Sequence, residues 1–193
     1  MNPALAPAIE TPMLRYGLVL AVIVLIADQT SKYVILGLMG FSPPGCLEGA
    51  GYCGFIEMSP WFDLSMVWNR GVSFGMLRAE SGLARWGLVA LTFVISAMFV
   101  WWLKGATHKL TASALGLVIG GALGNVIDRV RFGAVADFLD FNGLGFPWVF
   151  NLADAAINLG AGLLLLDFLR HGEKKPAKAA AAGASPNNGQ DRL

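Results

Sequence analysis

Asn151, Asp154 and Asn158 fall at i, i+3 and i+7 within a run, Phe150 to Leu169, that is otherwise apolar enough to cross a bilayer. On a helix those offsets make one polar stripe on an apolar rod, and amides and carboxylates at membrane depth need partners inside the bundle. A second pair, Asn125 and Asp128, closes the apolar run GGALGNVIDRV, and a third, Asp28 and Lys32, stands at i, i+4 near the end of the first apolar run. Another carboxylate, Asp137, lies in RVRFGAVADFLDFNGLGFPWVF, where two β-prone runs flank Asn142-Gly143, a strong hairpin signal. With residues 142–145 as the loop, Phe141 pairs with Phe146, Leu139 with Trp148 and Asp137 with Phe150, which delivers Asp137 to the top of the last helix, near Asp154. Two carboxylates held close cannot both ionise easily; they titrate as a unit, and one can act as acid while the other acts as base.

Each of these residues also has a local explanation. Asn151 fits a helix N-cap with Asp154 at the third helical position, favoured by the cap and the dipole, but capping leaves Asn158, a turn deeper, unexplained. Asp128 sits at a helix C-terminus, the wrong end of the dipole, and its neighbour Arg129 offers a salt bridge that favours a structural or substrate-orienting role. Asp28 and Lys32 read either as a self-satisfied ion pair or as a brace for the site. Ser31 beside Lys32 invites a serine-lysine protease reading, which fails because adjacent helical residues point about 100° apart. His108 and His171 fall on the expected cytoplasmic side, away from the carboxylates, which argues against a histidine zinc site. Cys46 and Cys53 share a Gly-rich outer loop where an oxidising compartment would permit a disulfide.

The elements that must position these side chains are membrane spans. Of 193 residues, 55% are hydrophobic and only 14% charged, with mean hydropathy +0.59, which is too apolar for a soluble domain of this size. Nothing resembles a basic, aromatic-interleaved nucleic-acid groove. Four segments are long enough to span: Tyr16 to Leu38, Leu83 to Leu103, Leu110 to Ile127 and Phe150 to Leu169. The first is read as a retained helix rather than a cleaved signal peptide, because Leu25 occupies the position where cleavage after Ala27 would require a small residue. The short loop Lys104 to Lys109 and the basic tail place both termini in the cytoplasm. Ala112, Gly116, Gly120 and Gly124 recur every four residues, a small-residue stripe for close helix packing. In the larger outer loop, Phe62, Leu64, Met66 and Trp68 follow the period of a half-buried strand leading into NRGVSFG.

The expected fold is therefore an all-α membrane protein of four transmembrane helices with a small extracytoplasmic β-sheet. It divides into a cytoplasmic segment 1–12, a membrane domain 13–170 with outer loops 40–82 and 129–149, and a disordered cytoplasmic tail 171–193.

In order along the chain, DQTSK (28–32), NRGVSFG (69–75), GGALGNVIDR (120–129), VADF (135–138) and FNLAD (150–154) resemble the lipoprotein signal peptidase family, also called signal peptidase II. The resemblance covers nearly the whole chain from the first span through the fourth. It implies an aspartic endopeptidase of the bacterial inner membrane, with its active site near the outer face, that removes the signal peptide from prolipoproteins just before a diacylglyceryl-modified cysteine. Asp137 and Asp154 match the catalytic pair of the family, and Asp28, Lys32, Asn69, Gly71, Asn125, Asp128, Arg129 and Asn151 match residues that support the site or contact the substrate. No cofactor or metal is implied; the expected partners are the lipidated prolipoprotein and membrane lipids, with a monomer as the working unit. The CLEGAGYC insertion and the Ala-rich tail lie outside the family pattern. Competing readings are a small ion-coupled transporter, a structural four-span scaffold and a carboxylate-bound metal enzyme.

Overall fold

In a computed structural model, which describes residues 12–43, 45–47, 52–71 and 82–171, the chain builds four long helices and one antiparallel sheet. Helix α1 (Pro12–Tyr33) runs into a π-helical turn, Val34–Leu38. Strands β1 (Tyr52–Ser59) and β2 (Phe62–Asn69) precede α2 (Gly82–Lys104) and α3 (Lys109–Phe132). The chain then forms β3 (Val135–Phe141), a short 3-10 turn at Asn142–Leu144, β4 (Phe146–Phe150) and α4 (Leu152–His171). Four helical segments, Pro12–Leu38, Arg85–Lys104, Lys109–Phe132 and Leu152–Arg170, are long and apolar enough to cross a membrane. They fall within a few residues of the segments marked by hydropathy.

Helix α3 is the centre of the bundle and packs against the other three. Its small residues explain how. A side chain on Gly116 or Gly120 would run into the backbone carbonyls of Gly17 or Ala21 on α1, so the two helices touch main chain to main chain. The matching face of α1 is Gly17, Ala21, Val24, Asp28 and Lys32, spaced three or four apart and buried, whereas Val19, Val22, Ile23 and Ile26 are exposed on the outside. The stripe read as packing does pack, and its last member, Gly124, leaves the space that the Asp28 carboxylate occupies. Gly133 ends α3 in the left-handed conformation (φ 79°), its N–H returning to the Arg129 carbonyl at 3.1 Å. From α2, Arg85 adds two donors to the same helix end, Nε to the Arg129 carbonyl (2.7 Å) and Nη2 to that of Val130 (2.6 Å).

The sheet is a meander in the order β1-β2-β3-β4, so the description all-α needs correction: the protein combines a four-helix bundle with a four-stranded sheet. Of its strands, β1 went unread because YCGFIEMS carries Gly54 and lacks clean alternation. Leu64, Met66 and Trp68 of β2 face an apolar layer with Ile35, Phe41, Cys46, Ala134, Ala136 and Phe138. Cys46 is joined to Cys53 by a disulfide at the rim of this layer.

The hairpin register differs from the expected one. Phe141 does pair with Phe146, but Asp140 pairs with Val149 and Leu139 with Phe150, after an irregularity between Asp140 and Phe141. The Asp140 side chain causes it: Oδ1 accepts the backbone N–H of Asn142 at 2.9 Å, drawing that group into the turn. Asp137 therefore lies beyond Phe150, level with the start of α4.

Candidate active site

The last strand ends where the last helix begins, and one residue manages the junction. Asn151 caps α4: its Oδ1 accepts the N–H of Asp154 at 2.9 Å, as the capping explanation expected. The same amide has a second task. Its Nδ2 donates to Asp137 Oδ1 at 2.7 Å, with Asn125 Oδ1 (3.2 Å) and the Ala136 carbonyl (3.3 Å) also in range. Asn151 is fully buried, so these bonds form away from water. Asp154 Oδ1 accepts from Asn125 Nδ2 at 2.7 Å.

Asp137 reaches the junction from β3. Val67 is its cross-strand partner and Asn69 pairs with Val135, which sets the Asn69 side chain diagonally beside Asp137 on one face. Asn69 Nδ2 donates to Asp137 Oδ2 at 3.1 Å, while its Oδ1 accepts the N–H of Gly71 at 3.1 Å. Only 2% of Asp137 is exposed. Burial raises its pKa to about 8; the nearby Asp154 charge pushes the same way, and the Asn69 bond, the Lys32 charge and the Asn151 bond oppose them.

Behind this pair stands a charged cluster from α1 and α3. Lys32 Nζ lies 2.9 Å from Asp28 Oδ2 and 2.7 Å from Asp128 Oδ2, with Asn125 Oδ1 at 3.3 Å. Asp28 Oδ1 accepts the N–H of Ala153 at 3.0 Å, so a carboxylate from α1 sits on the first turn of α4. Asp128 Oδ2 also accepts the N–H of Ala136, next to Asp137, at 3.2 Å. The pairing expected between Asp128 and Arg129 is thus corrected: the partner of Asp128 is Lys32, because neighbours on a helix diverge by about 100°. Arg129 turns elsewhere, with Nη2 3.3 Å from the Gly71 carbonyl and Nη1 3.5 Å from that of Asn125. Its buried Nε meets no acceptor among the described residues.

All ten residues singled out by type and resemblance lie in this one connected region. Asn158 does not join them. It is exposed, because the buried face of α4 is Ala153, Ala156 and Gly160, and because Asn151, as the cap, stands outside the helical phase. Ser31 ties its hydroxyl to the Asp28 carbonyl at 2.7 Å, which takes it out of any serine-lysine arrangement. Two contributors went unread. Gln29 Nε2 lies near Asp28 Oδ2 (3.1 Å), Asp128 Oδ1 (3.1 Å) and the Gly124 carbonyl (3.2 Å); its position beside Asp28 at membrane depth was the available signal. Arg85 had none, since its acceptors are backbone carbonyls some 44 residues away. Among the described residues no group of three His, Cys, Asp or Glu side chains is arranged to hold a metal ion.

The four-helix bundle with its small sheet is similar in fold to solved bacterial membrane enzymes. Two solved structures described in those words match it: one with TM-score 0.69, 27% identity and coverage of 85% of this chain and 93% of the other, and one with TM-score 0.64, 30% identity and coverage of 81% and 94%. The chain belongs to the signal peptidase (SPase) II family, whose model matches residues 20–170. Relatives include the lipoprotein signal peptidase of Caulobacter vibrioides, 43% identical over 157 residues (81% of this chain, 88% of the relative). That of Methylobacterium radiotolerans is 42% identical over 170 residues (88% and 94%).

Proposed function

We propose that this protein is an aspartic endopeptidase in which Asp137 and Asp154 are the catalytic pair, cutting diacylglyceryl-modified prolipoproteins just before the lipidated cysteine. The observation that carries the reading is the single buried amide of Asn151, which holds the Asp137 carboxyl and the backbone of Asp154 together while Asp137 is kept protonated near neutral pH. The ionised member of the pair takes a proton from a water, whose oxygen attacks the scissile carbonyl carbon. The protonated member donates to the carbonyl oxygen as it becomes a hydroxyl. Collapse of that intermediate breaks the C–N bond: one carboxyl gives its proton to the departing amine while the other takes back a hydroxyl proton as the C=O re-forms, so the pair ends with the proton count it began with.

The neighbours serve this cycle. Asn69 and Asn125 each donate to one member and fix its rotamer, and Arg129 offers an Nε–H that meets no acceptor among the described residues, suited to a substrate carbonyl. Asp28, Lys32 and Asp128 hold the ends of α1, α3 and α4 in register under it. Gly71 presents backbone between Asn69 and Arg129. The working unit that goes with this reading is a monomer. The topology that goes with this reading has both termini in the cytoplasm and the site near the outer face of the inner membrane, where a lipid-anchored peptide enters sideways between helices. The test is incubation of the purified protein in detergent with a diacylglyceryl-modified prolipoprotein. A product shortened to the lipidated cysteine is expected; an uncut substrate, or cleavage abolished by a chelator, would overturn the reading.

A further inference from the structure

The loop closed by the Cys46–Cys53 disulfide touches the candidate site by two routes. The first is apolar: Cys46 is buried in the layer that holds Trp68, Ala136 and Phe138, and these are the residues beside Asn69 and on either side of Asp137. The second is polar. Leu47, the next residue inside the ring, has its carbonyl bound by Nη2 of Arg70. Arg70 stands between Asn69, which donates to Asp137, and Gly71, whose carbonyl accepts from Arg129. One exposed guanidinium thus pins the short segment from which both of those contacts arise.

We propose that Arg70 is a positioning residue for the Asp137/Asp154 pair, that the disulfide loop is its anchor, and that the enzyme is consequently sensitive to reduction. The ring restricts where the Leu47 carbonyl can be, and through Arg70 that restriction passes to the backbone of residues 69–71. The Asn69 amide must stay within hydrogen-bond reach of a carboxyl whose placement governs the rate, and small displacements there are costly. Opening the ring frees the carbonyl without removing any group from the site. The chemistry is a two-electron exchange: a dithiol passes two electrons and two protons to the S–S bond, leaving the two cysteine thiols and a cyclic disulfide. This inference rests on the peptidase reading above.

The experiment compares oxidised protein with protein reduced by dithiothreitol, both as wild type and as Arg70→Ala, at matched folded fraction in detergent, with thiol labelling to verify the redox state. Cleavage by oxidised wild type tests the peptidase reading separately. With cleavage established, reduction is expected to lower kcat roughly three- to tenfold, with KM changed less than about twofold, as loss of one modest hydrogen bond implies. Oxidised Arg70→Ala should show the same loss, and reducing it should add nothing, because anchor and pin act in series. Unchanged kcat on reduction, or losses that multiply between reduction and Arg70→Ala, would overturn the proposal. If Cys46→Ser fails to fold, reduction of the folded wild type still decides the question.

Discussion

Two pairs of aspartates lie within one bonded network and are treated in opposite ways. Asp28 and Asp128 share the ammonium of Lys32 and each also accepts a backbone N–H, from Ala153 and Ala136. Among the described residues Asp137 and Asp154 have no lysine within ion-pair distance; the side chains bonded to them are the neutral amides of Asn69, Asn125 and Asn151. A cation within bonding distance keeps a carboxylate ionised and holds it in place. Amides orient a carboxyl and still leave it free to gain or lose a proton. The first pair is clamped by a shared cation and the second is held by neutral amides, although all four side chains are chemically the same.

That contrast predicts its largest effect in activity. Asp137→Asn and Asp154→Asn keep shape and hydrogen bonding but remove the acid or base, so each should lower turnover of a lipidated substrate by about 10²–10⁴-fold, with the double variant little worse than either single. Near-normal turnover by either single variant would dissolve the distinction between the pairs.

Next comes Lys32→Met, which strands two buried carboxylates. A loss of ~3–5 kcal/mol is expected for breaking a buried pair from one side, read as a lower unfolding midpoint in detergent. An unchanged midpoint would refute the role of Lys32 as the cation shared by Asp28 and Asp128.

Asp137→Asn should move stability in the reverse direction. Burial raises the folded pKa of Asp137 to about 8, well above the ordinary carboxylate range, so the folded state holds a proton that the unfolded chain releases. Stability from this group is full below about pH 4 and declines as pH rises toward 8. Asn escapes that decline, so the variant should gain in Tm over wild type as pH is taken from 5 to 9. A constant difference across that range would refute the protonated assignment. The smallest effect belongs to Asp140→Asn. Its carboxylate accepts from Ser65 Oγ at 2.6 Å and from the Asn142 N–H, further along β3 from Asp137 toward the hairpin turn. Asn retains an acceptor, so turnover should stay within about threefold and stability should fall by ~1 kcal/mol. A larger loss of turnover would tie the hairpin bend to the chemistry.

The arrangement of the site was legible where it follows from local rules. Hydropathy and length mark spans wherever they fall, and the four helices matched. The alternation at Leu64, Met66 and Trp68 and the Asn142-Gly143 turn predicted β2 and the β3–β4 hairpin, and offsets along a helix predicted the Asp28–Lys32 pair. Failures came where a local rule was carried one step too far. The i, i+7 stripe put Asn158 with Asn151, but a cap does not share the phase of the helix it caps. The hairpin was counted through without a bulge because nothing in the residue order says that Asp140 will take the Asn142 N–H.

Residue type and spacing by themselves pointed to four helices long and apolar enough to cross a membrane, to a third span that packs through glycine, and to Asp137 being brought near Asp154. These are properties of short windows, set by hydration and by the 3.6- and 2-residue periods. That Asp128 shares the cation of Asp28 was decided only in three dimensions. Lys32 and Asp128 are 96 positions apart, and Asp28 reaches the first turn of α4 across 125. The close approach of α1 and α3 at Gly116 and Gly120 brings them together, leaving Asp137 and Asp154 to amides. The reason is that a buried charge takes the nearest opposite charge the packing offers, and that distance is set by how the helices cross.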